Sequence, residues 1–306
     1  MSQPCGLTMR ASDRAKLDDG NVLDLNQILV NEVSEKLETT FHAMFAGRDL
    51  EYLEVAKRAC EQALTLISEC DALYHNTEHT ARVTLVGLQV LLGKQTAHHD
   101  VTPSDWLNTV VSLVCHDIGY VRGVCTADSG ATLATGIGQN TTHVACERSD
   151  AALMPIHVDR GKSFISSNLV GSQLIDEVFV QACIERTRFP VPTDSWYAIT
   201  DDYAGLVRGA DLIGQLSDPT YLSKLPAIFY EFVEVGFNES LGYKSPGDLL
   251  NNYPKFFANS VKPYIRETEE LLNQTVSGRE ILTVLYKNLH DAEKPQPEIQ
   301  RVRSTA

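Results

Sequence analysis

Apolar residues recur three and four positions apart along most of this 306-residue chain, and no segment alternates apolar and polar residues for long. Between positions 22 and 45, the residues Leu25, Ile28, Val33, Leu37 and Phe41 follow this spacing. Such a period places apolar side chains on one face of an α-helix, whereas a half-buried strand requires alternation. We therefore predict an all-α fold.

The same period divides the chain into helices and breaks. We predict a loose N-terminal segment over 1–20, one multi-helix domain over 21–290 and a disordered tail over 291–306. The period is lost between 119 and 148, where glycine, threonine, serine and asparagine predict a functional or disordered loop. Helices are predicted over 22–45, 50–73, 75–93 (capped by Asn76), 106–119, 149–187 with a break near 171, 196–217 (capped by Asp194 or Ser195), 221–237 and 278–290, with two or three more between the prolines of 245–273.

Composition and charge exclude several classes of protein. The net charge of -14 and the pI near 5.0 argue against a nucleic-acid polymer as partner, because polyanion binding needs clustered lysine and arginine. No window approaches the roughly 18 apolar residues of a membrane span, and the first residues lack the apolar core of a secretion signal. The cysteines are odd in number and lack CxxC spacing, which favours reduced thiols. We expect a cytoplasmic protein without a membrane partner, and a homodimer stays open.

The predicted helix 106–119 ends in an adjacent pair of polar residues, His116 and Asp117. Pro103 and Ser104 precede it as helix-start signals, and Gly119 is expected to stop it. Taken alone, the pair has an ordinary explanation as a hydrogen-bonded core histidine and an exposed helix-end carboxylate. Further residues of the same chemistry elsewhere in the chain weaken that explanation.

Four such residues stand out. His75 and His79 are four positions apart at the start of a predicted helix, so both project from one face. Asp211 lies among apolar residues, where an ionised carboxylate is costly unless it is paired or ligated. His157 adds one more imidazole. Because a chain of this length needs no metal merely to fold, we predict a functional metal centre.

Three motifs give these residues a family resemblance. The runs YHNTEH at 74–79, CHDIG at 115–119 and ADLIGQLSDPT at 210–220 follow one another in that order. Together they resemble the HD superfamily of metal-dependent phosphohydrolases and, within it, the catalytic domain of cyclic-nucleotide phosphodiesterases. The resemblance covers about half of the chain, from Tyr74 to Tyr221, and implies an all-helical fold.

The resemblance also implies roles for individual residues. The ligands of a first metal would be His79, His116, Asp117 and Asp211. Asp117 would also bridge to a second metal, and His75 would protonate the leaving oxygen. Mixed imidazole and carboxylate ligands suit Zn, Mn, Fe or Co at the first site, and a water-rich second site suits Mg or Mn.

The chain departs from the phosphodiesterase pattern near the second metal. Where those enzymes carry a further histidine after the His-Asp pair, this chain has Tyr120 or Arg122, and where they carry a glutamate four residues before the position of His157, it has Leu153. His157 itself resembles an additional histidine that bacterial members of the superfamily use at the second metal. Both a metal contact and a purely structural role stay open for it.

Substrate contacts are predicted from charge and from position. Arg122, Arg160 and Lys162 flank the motifs and are candidates for binding a phosphate, although solvated surface cations are the alternative. Thr187 and Phe189 occupy positions that face the substrate pocket in the resembled family, and core packing is favoured for Phe189. The candidates for contacting a purine base are Tyr253, Phe256, Phe257 and Asn259.

These observations predict a metal-dependent phosphohydrolase that acts on a small nucleotide. Hydrolysis of a cyclic nucleotide by a metal-activated hydroxide is the leading case, because the Tyr-His-Asn run before the ligand histidine is typical of the diesterase branch. The alternatives are a nucleotidase or deoxynucleotide phosphohydrolase, and a nucleotide-binding sensor that keeps the metal without turnover.

Overall fold

The computed structural model describes residues 24–168 and 172–294, and within them it confirms the all-α fold. The only sheet in these ranges is a hairpin of β1 and β2. The N-terminal segment 1–20, the break near 171 and most of the C-terminal tail lie outside the described residues. The α-helices and strands are α1 (Leu25–Phe45), α2 (Leu50–Ile67), α3 (Thr77–His98), α4 (Pro103–Cys115), β1 (Thr132–Ala134), β2 (Thr141–His143), α5 (His157–Asn168), α6 (Glu177–Arg186), α7 (Tyr203–Leu216), α8 (Tyr221–Val235), α9 (Phe237–Ser240), α10 (Pro246–Phe256), α11 (Lys262–Leu272) and α12 (Val276–Glu293).

Shorter helical turns join these elements. Three are 3₁₀ turns, at Ile118–Tyr120, Asp150–Leu153 and Ser195–Ala198, and a π-helical turn at Phe257–Val261 links α10 to α11. The helical stretch expected over 149–187, with its break near 171, consists of a 3₁₀ turn followed by α5 and α6. Helix α12 continues through 291–293, where a tail was expected. Helix α2 ends at Ile67, earlier than expected, where the backbone N–H groups of Glu69 and Cys70 donate to the carbonyl oxygens three residues back and close turns.

Helix α4 forms the centre of the core and supports the pair His116 and Asp117. It packs against α2, α3 and α6, and its residues from Trp106 to Cys115 are all buried. A capping box between Thr102 and Asp105 fixes its first turn. Truncating one of its large apolar side chains would cost about 2–5 kcal/mol, so the helix end is a rigid support.

Side-chain caps fix the starts of α3 and α7, the two helices that carry His79 and Asp211. The side chain of Asn76 accepts hydrogen bonds from the backbone of Glu78 and His79, which confirms it as the cap of α3. Helix α7 is capped by Asp202, which accepts from Gly205, and not by Asp194 or Ser195. The expected cap was wrong because the residues that follow Asp194 close a separate 3₁₀ turn.

Two glycines that the sequence presents as helix stops are instead points of close contact. A Cβ on Gly93 would lie 2.0 Å from the carbonyl oxygen of Leu271, and α3 continues past it to His98. A Cβ on Gly119 would lie 1.9 Å from the carbonyl oxygen of His157. Helix α4 has already ended at Cys115. The absent side chain at position 119 lets the 3₁₀ turn approach the start of α5.

The loop expected over 119–148 is ordered around a buried ion pair. Asp128 accepts hydrogen bonds from the backbone of Gly123 and Ala134, and it pairs with Arg160 of α5 at 2.9 Å. Strands β1 and β2 pair antiparallel, with Leu133 opposite Thr142. The segment is therefore anchored to α5 by a charge pair.

Two further expectations concern membranes and thiols. Within the described residues, no helix combines the length and the apolar character of a membrane span. Five cysteines carry free thiols, as expected, whereas Cys146 is disulfide-bonded and departs from the expectation of reduced thiols. The free cysteines are Cys60, Cys70, Cys115, Cys125 and Cys183.

Candidate metal centre

Four polar side chains meet where α3, α4 and α7 pack together. His79 lies in the first turn of α3, His116 and Asp117 directly follow α4, and Asp211 lies within α7. The Nε2 atoms of His79 and His116 are 3.3 Å apart. Asp117 Oδ2 lies 3.3 and 3.2 Å from these two atoms, and Asp211 Oδ1 lies 3.6 Å from each. The four residues predicted as ligands of a first metal are therefore adjacent.

The donor atoms fit a divalent cation. Nδ1 of His116 lies 2.7 Å from the carbonyl oxygen of Leu113; donating that bond leaves the Nε2 lone pair facing the cluster. Oδ2 of Asp117 is buried without a hydrogen-bond partner. Ligands of a tetrahedral Zn²⁺ at about 2.0–2.2 Å lie about 3.4 Å from one another, and the separations here are 3.2–3.6 Å. His79, His116 and Asp211 can accordingly hold one ion.

The electrostatics of the cluster call for positive charge. Burial opposes protonation of His116, yet the carboxylates of Asp117 and Asp211 raise its pKa to about 9. Burial also opposes ionisation of Asp117, but His116 and His79 hold the pKa of this carboxyl well below its usual range. Two buried carboxylates are stable there only beside a proton or a cation, and a metal ion that binds displaces the proton.

The other oxygen of Asp117 faces a different histidine. His157 Nε2 lies 3.7 Å from Asp117 Oδ1, and His157 Nδ1 lies 2.6 Å from the carbonyl oxygen of Met154. Burial lowers the pKa of His157 to about 4, so its imidazole is neutral and suited to ligating a cation. Its predicted contact with the metal region is thus geometrically possible through Asp117.

Tyr120 occupies the space between two of the histidines. Its ring stacks on His75 with centroids 4.7 Å apart and on His157 with centroids 4.5 Å apart. The residue is almost fully buried and lines the cavity next to the metal cluster. A tyrosine at this position therefore holds two imidazoles in place by stacking, where the resembled family has a histidine.

His75 is oriented by a glutamate that the sequence analysis missed. Its Nδ1 lies 2.6 Å from Glu231 Oε2, while Glu231 Oε1 accepts hydrogen bonds from the backbone of Tyr74 and His75. Burial opposes protonation of His75, but Glu231 raises its pKa to about 9. The available signal in the sequence was the position of Glu231, a charged residue within the apolar run of α8. In the structure Glu231 is only 1% exposed.

A cavity of about 420 Å³ opens onto this cluster. His75, His79, Asp117 and Asp211 lie in its wall, together with Tyr120 and His157. Much of the remaining wall is aromatic or aliphatic, and the Phe189 ring lies 6.4 Å from Phe237 and 6.0 Å from Phe256 between centroids. The cavity therefore combines a metal-capable floor with an apolar wall, as small-molecule sites commonly do.

Three predicted phosphate contacts are corrected by the structure. None of Arg122, Arg160 and Lys162 lines the cavity. Arg160 is fully buried, with its donors taken by Asp128 and by backbone carbonyls. Arg122 pairs with Asp150 at 2.8 Å, and Lys162 pairs with Asp159 and Glu185. These cations hold loops and helices together, so they are not available to a substrate.

The other predicted substrate contacts have mixed outcomes. Thr187 lines the cavity, although its hydroxyl donates to the carbonyl oxygen of Ile184. Phe189 is 42% exposed in the cavity wall, so the expectation of core packing was wrong for it. Among the candidates for base recognition, Tyr253, Phe256 and Asn259 line the cavity, and Phe257 is buried in the core.

Fold and site together define an all-helical protein with a buried imidazole and carboxylate cluster at the bottom of a cavity. The chain belongs to the Npun_R2479-like family, whose model matches residues 23–295. No curated protein matches the chain, and neither does any solved structure. The matched range includes every residue of the cluster.

Proposed function

We propose that this protein is a metal-dependent phosphohydrolase for a small phosphoester, with a cyclic nucleotide as the leading substrate. The observation that carries the proposal is the convergence of His79, His116, Asp117 and Asp211 beside a cavity, where each carboxylate lies within 3.6 Å of the Nε2 atoms of both histidines. The same residues carry the sequence resemblance to the HD superfamily. Divalent cations held there supply positive charge to phosphoryl oxygens and lower the pKa of water.

The protein's own residues have distinct parts in this proposal. His79, His116 and Asp211 hold the first cation, and Asp117 contributes to both sides, since its second oxygen faces His157. The ring of His75 lines the cavity, with Glu231 on its Nδ1, so Nε2 is the atom that presents a proton to the leaving oxygen. Donation needs the imidazolium form, which the raised pKa keeps populated at neutral pH.

The cavity suits a nucleotide in size and surface, which supports the leading substrate. Its volume of about 420 Å³ lies within the usual range for small-ligand pockets. The rings of Phe189 and Phe256 offer faces on which a base can stack, and Asn259 offers an amide for hydrogen bonding. The metal floor alone would serve a phosphomonoester as well, which is why a nucleotidase is the nearest alternative.

The test combines metal analysis with a substrate panel. Full-length protein is loaded with Mn²⁺ or Zn²⁺, and product release is measured with cyclic mononucleotides, nucleoside monophosphates and deoxynucleoside triphosphates. We expect turnover of at least one class that EDTA abolishes. Binding of a nucleotide without turnover of any class would refute the enzyme and favour a sensor.

A single variant tests the proton donor within that assay. We expect His75→Ala to lower turnover by about 10²–10⁴, the usual contribution of a general acid, while the first cation is retained. His290→Ala, which changes an exposed histidine of α12 that does not line the cavity, is the matched control. Loss of the first cation from the His75→Ala protein would instead make His75 a ligand.

A further inference from the structure

Two buried guanidinium groups, those of Arg186 and Arg208, donate to the same carbonyl oxygen, that of Ile199, but only one of them has a carboxylate partner. Arg186 of α6 is fully buried and pairs with Asp202 at 2.9 Å, while stacking on Trp196 at 3.9 Å. Arg208 of α7 is 2% exposed, and no carboxylate lies within ion-pair distance of it among the described residues. One buried positive charge is therefore left without a counter-ion.

Arg208 is held in place by groups that cannot neutralise it. It donates to the carbonyl oxygens of Tyr197 and Ile199 and stacks on the ring of Tyr264, and its Nε has no partner. Carbonyls and a ring face orient a guanidinium but leave its charge unpaired. Burial and the neighbouring Arg186 lower the pKa of Arg208 to about 10, so it remains cationic at neutral pH. A buried unpaired charge is costly unless an anion joins it.

Arg208 contributes to the wall of the same cavity as the metal cluster. It precedes Asp211 by three residues on α7, so the two side chains leave the helix as neighbours. The arginines and lysines in the cavity wall are Arg188, Arg208 and Lys255. Arg188 is neutralised by Asp159 and Glu185, whereas no ion pair is formed by Arg208 or Lys255 within the described residues.

An independent feature of the backbone lies in the same part of the wall. The π-helical turn Phe257–Val261 widens the chain between α10 and α11, and its residues Asn259 and Ser260 line the cavity. Single π-helical turns are rare and are found frequently at functional sites. This turn directly precedes the helix that carries Tyr264, on which Arg208 stacks. We define Arg208, Lys255, Asn259 and Ser260 as the basic wall.

We propose that the basic wall binds a second anionic group of the substrate, so that the substrate is a small phosphoester that also carries a phosphate or a carboxylate. The inference rests on the proposed function, which assigns the phosphoester group of the substrate to the metal centre. The metal centre then takes the scissile phosphate, while the guanidinium, the ammonium and the polar side chains of the π-helical turn take the other anion. A cyclic mononucleotide, the leading substrate of the proposed function, supplies a single phosphate and would leave Arg208 unpaired. Within that proposed class, the basic wall therefore favours nucleotides that carry a further phosphate.

Three phosphonates that resist hydrolysis test the basic wall by binding alone. Ethylphosphonate carries one anionic group, phosphonoacetate adds a carboxylate, and ethylenediphosphonate adds a second phosphonate. Their affinities for full-length, Mn²⁺-loaded protein are measured by calorimetry. We expect at least one of the latter two to bind about tenfold more tightly than ethylphosphonate, as a charge-assisted contact provides, and the tighter one identifies the anion.

Variants connect that preference to the named residues. We expect Lys255→Gln to reduce the preference about threefold, and Arg208→Gln to abolish it, whereas Lys36→Gln on α1 leaves it unchanged. Circular dichroism checks the fold of the Arg208→Gln protein. If the Arg208→Gln protein does not fold, the Lys255→Gln protein alone tests the proposal. Equal affinities in the wild type, absence of binding by all three probes, or an unchanged preference in Lys255→Gln would overturn the proposal. Turnover does not enter these measurements, so a protein that hydrolyses esters without the preference refutes only the basic wall.

Discussion

The two carboxylate oxygens of Asp117 face regions that are built differently. On the Oδ2 side, His79, His116 and Asp211 lie on or directly after three packed helices, with their donor atoms 3.3–3.6 Å apart. On the Oδ1 side, His157 is the nearest imidazole, at 3.7 Å. It is positioned by a carbonyl bond and by the stacked ring of Tyr120.

Under the proposed function, this difference predicts two cation sites of unequal strength. The Oδ2 side is preorganised, because the registers of α3, α4 and α7 are fixed by the core that surrounds them. The Oδ1 side depends on the 3₁₀ turns Ile118–Tyr120 and Asp150–Leu153 and offers fewer protein donors. We expect a tightly held cation on the first side and a weaker, more hydrated one on the second.

Removing the shared residue should abolish both sites. We expect Asp117→Ala to lose bound metal and to fall below about 0.1% of wild-type turnover, because several kcal/mol of charge stabilisation depend on the cations. Metal content by mass spectrometry and the rate of ester hydrolysis measure the two effects. Glu280→Ala, an exposed carboxylate on α12, is the control. Wild-type turnover by a metal-free Asp117→Ala protein would refute the role of the carboxylate.

Single-sided variants separate the two regions. We expect His79→Ala to remove the tightly held cation, with about 10²-fold lower affinity or more, and His157→Ala to leave that cation in place while weakening a second. Titration with Mn²⁺ after dialysis against a chelator gives the two affinities. Equal loss in both variants would mean that the two sides form one site.

The proximity of the residues on the Oδ2 side was anticipated from two sources. The apolar period of the sequence predicts the helices on or directly after which His79, His116 and Asp211 lie. That these three helices meet did not follow from local spacing and was expected only from the resemblance of the motifs. Helix α3 and its cap at Asn76 were likewise predictable from the local sequence.

The contacts of His75 and Tyr120 were not predictable, because they join segments distant in sequence and no motif marks the partner residues. Glu231 reaches His75 across 156 positions, and the stacking of Tyr120 depends on a 3₁₀ turn without a period. The prediction that Arg122, Arg160 and Lys162 bind phosphate was wrong for a related reason. Charge is visible in a sequence, but a buried partner such as Asp128 beside Arg160 is not.

Turnover should depend on pH through the ionisation of His75, the proposed proton donor. The His75 pKa is raised to about 9 from an ordinary value of 6.5, so the imidazolium, and the stability of its ion pair, are present below 6.5 and lost as pH rises through 9. Turnover should fall along that alkaline limb. We expect Glu231→Gln to lower turnover about 10- to 100-fold and to move the limb toward lower pH, because the carboxylate that favours the imidazolium is gone.

The pH profile of the Glu231→Gln protein separates an electrostatic role from a merely structural one. If Glu231 only held the backbone of Tyr74 and His75, turnover would fall while the alkaline limb stayed in place. A limb that moves with little change in melting temperature supports the role in orienting and charging His75.

The smallest expected effect concerns the ring between the two histidines. Tyr120→Phe keeps both stacked contacts and should retain turnover within about twofold, whereas Tyr120→Leu removes contacts worth about 0.5–1.5 kcal/mol each and should lower turnover up to about tenfold. The first cation should remain. Among the described residues, Tyr120 is hydrogen-bonded to a ligand of that cation only through its backbone N–H, which donates to the carbonyl oxygen of Asp117 at 3.0 Å, and a change of side chain leaves that bond in place. A Tyr120→Phe protein as impaired as Tyr120→Leu would show that the hydroxyl, not the stacked ring, makes the Oδ1 side work.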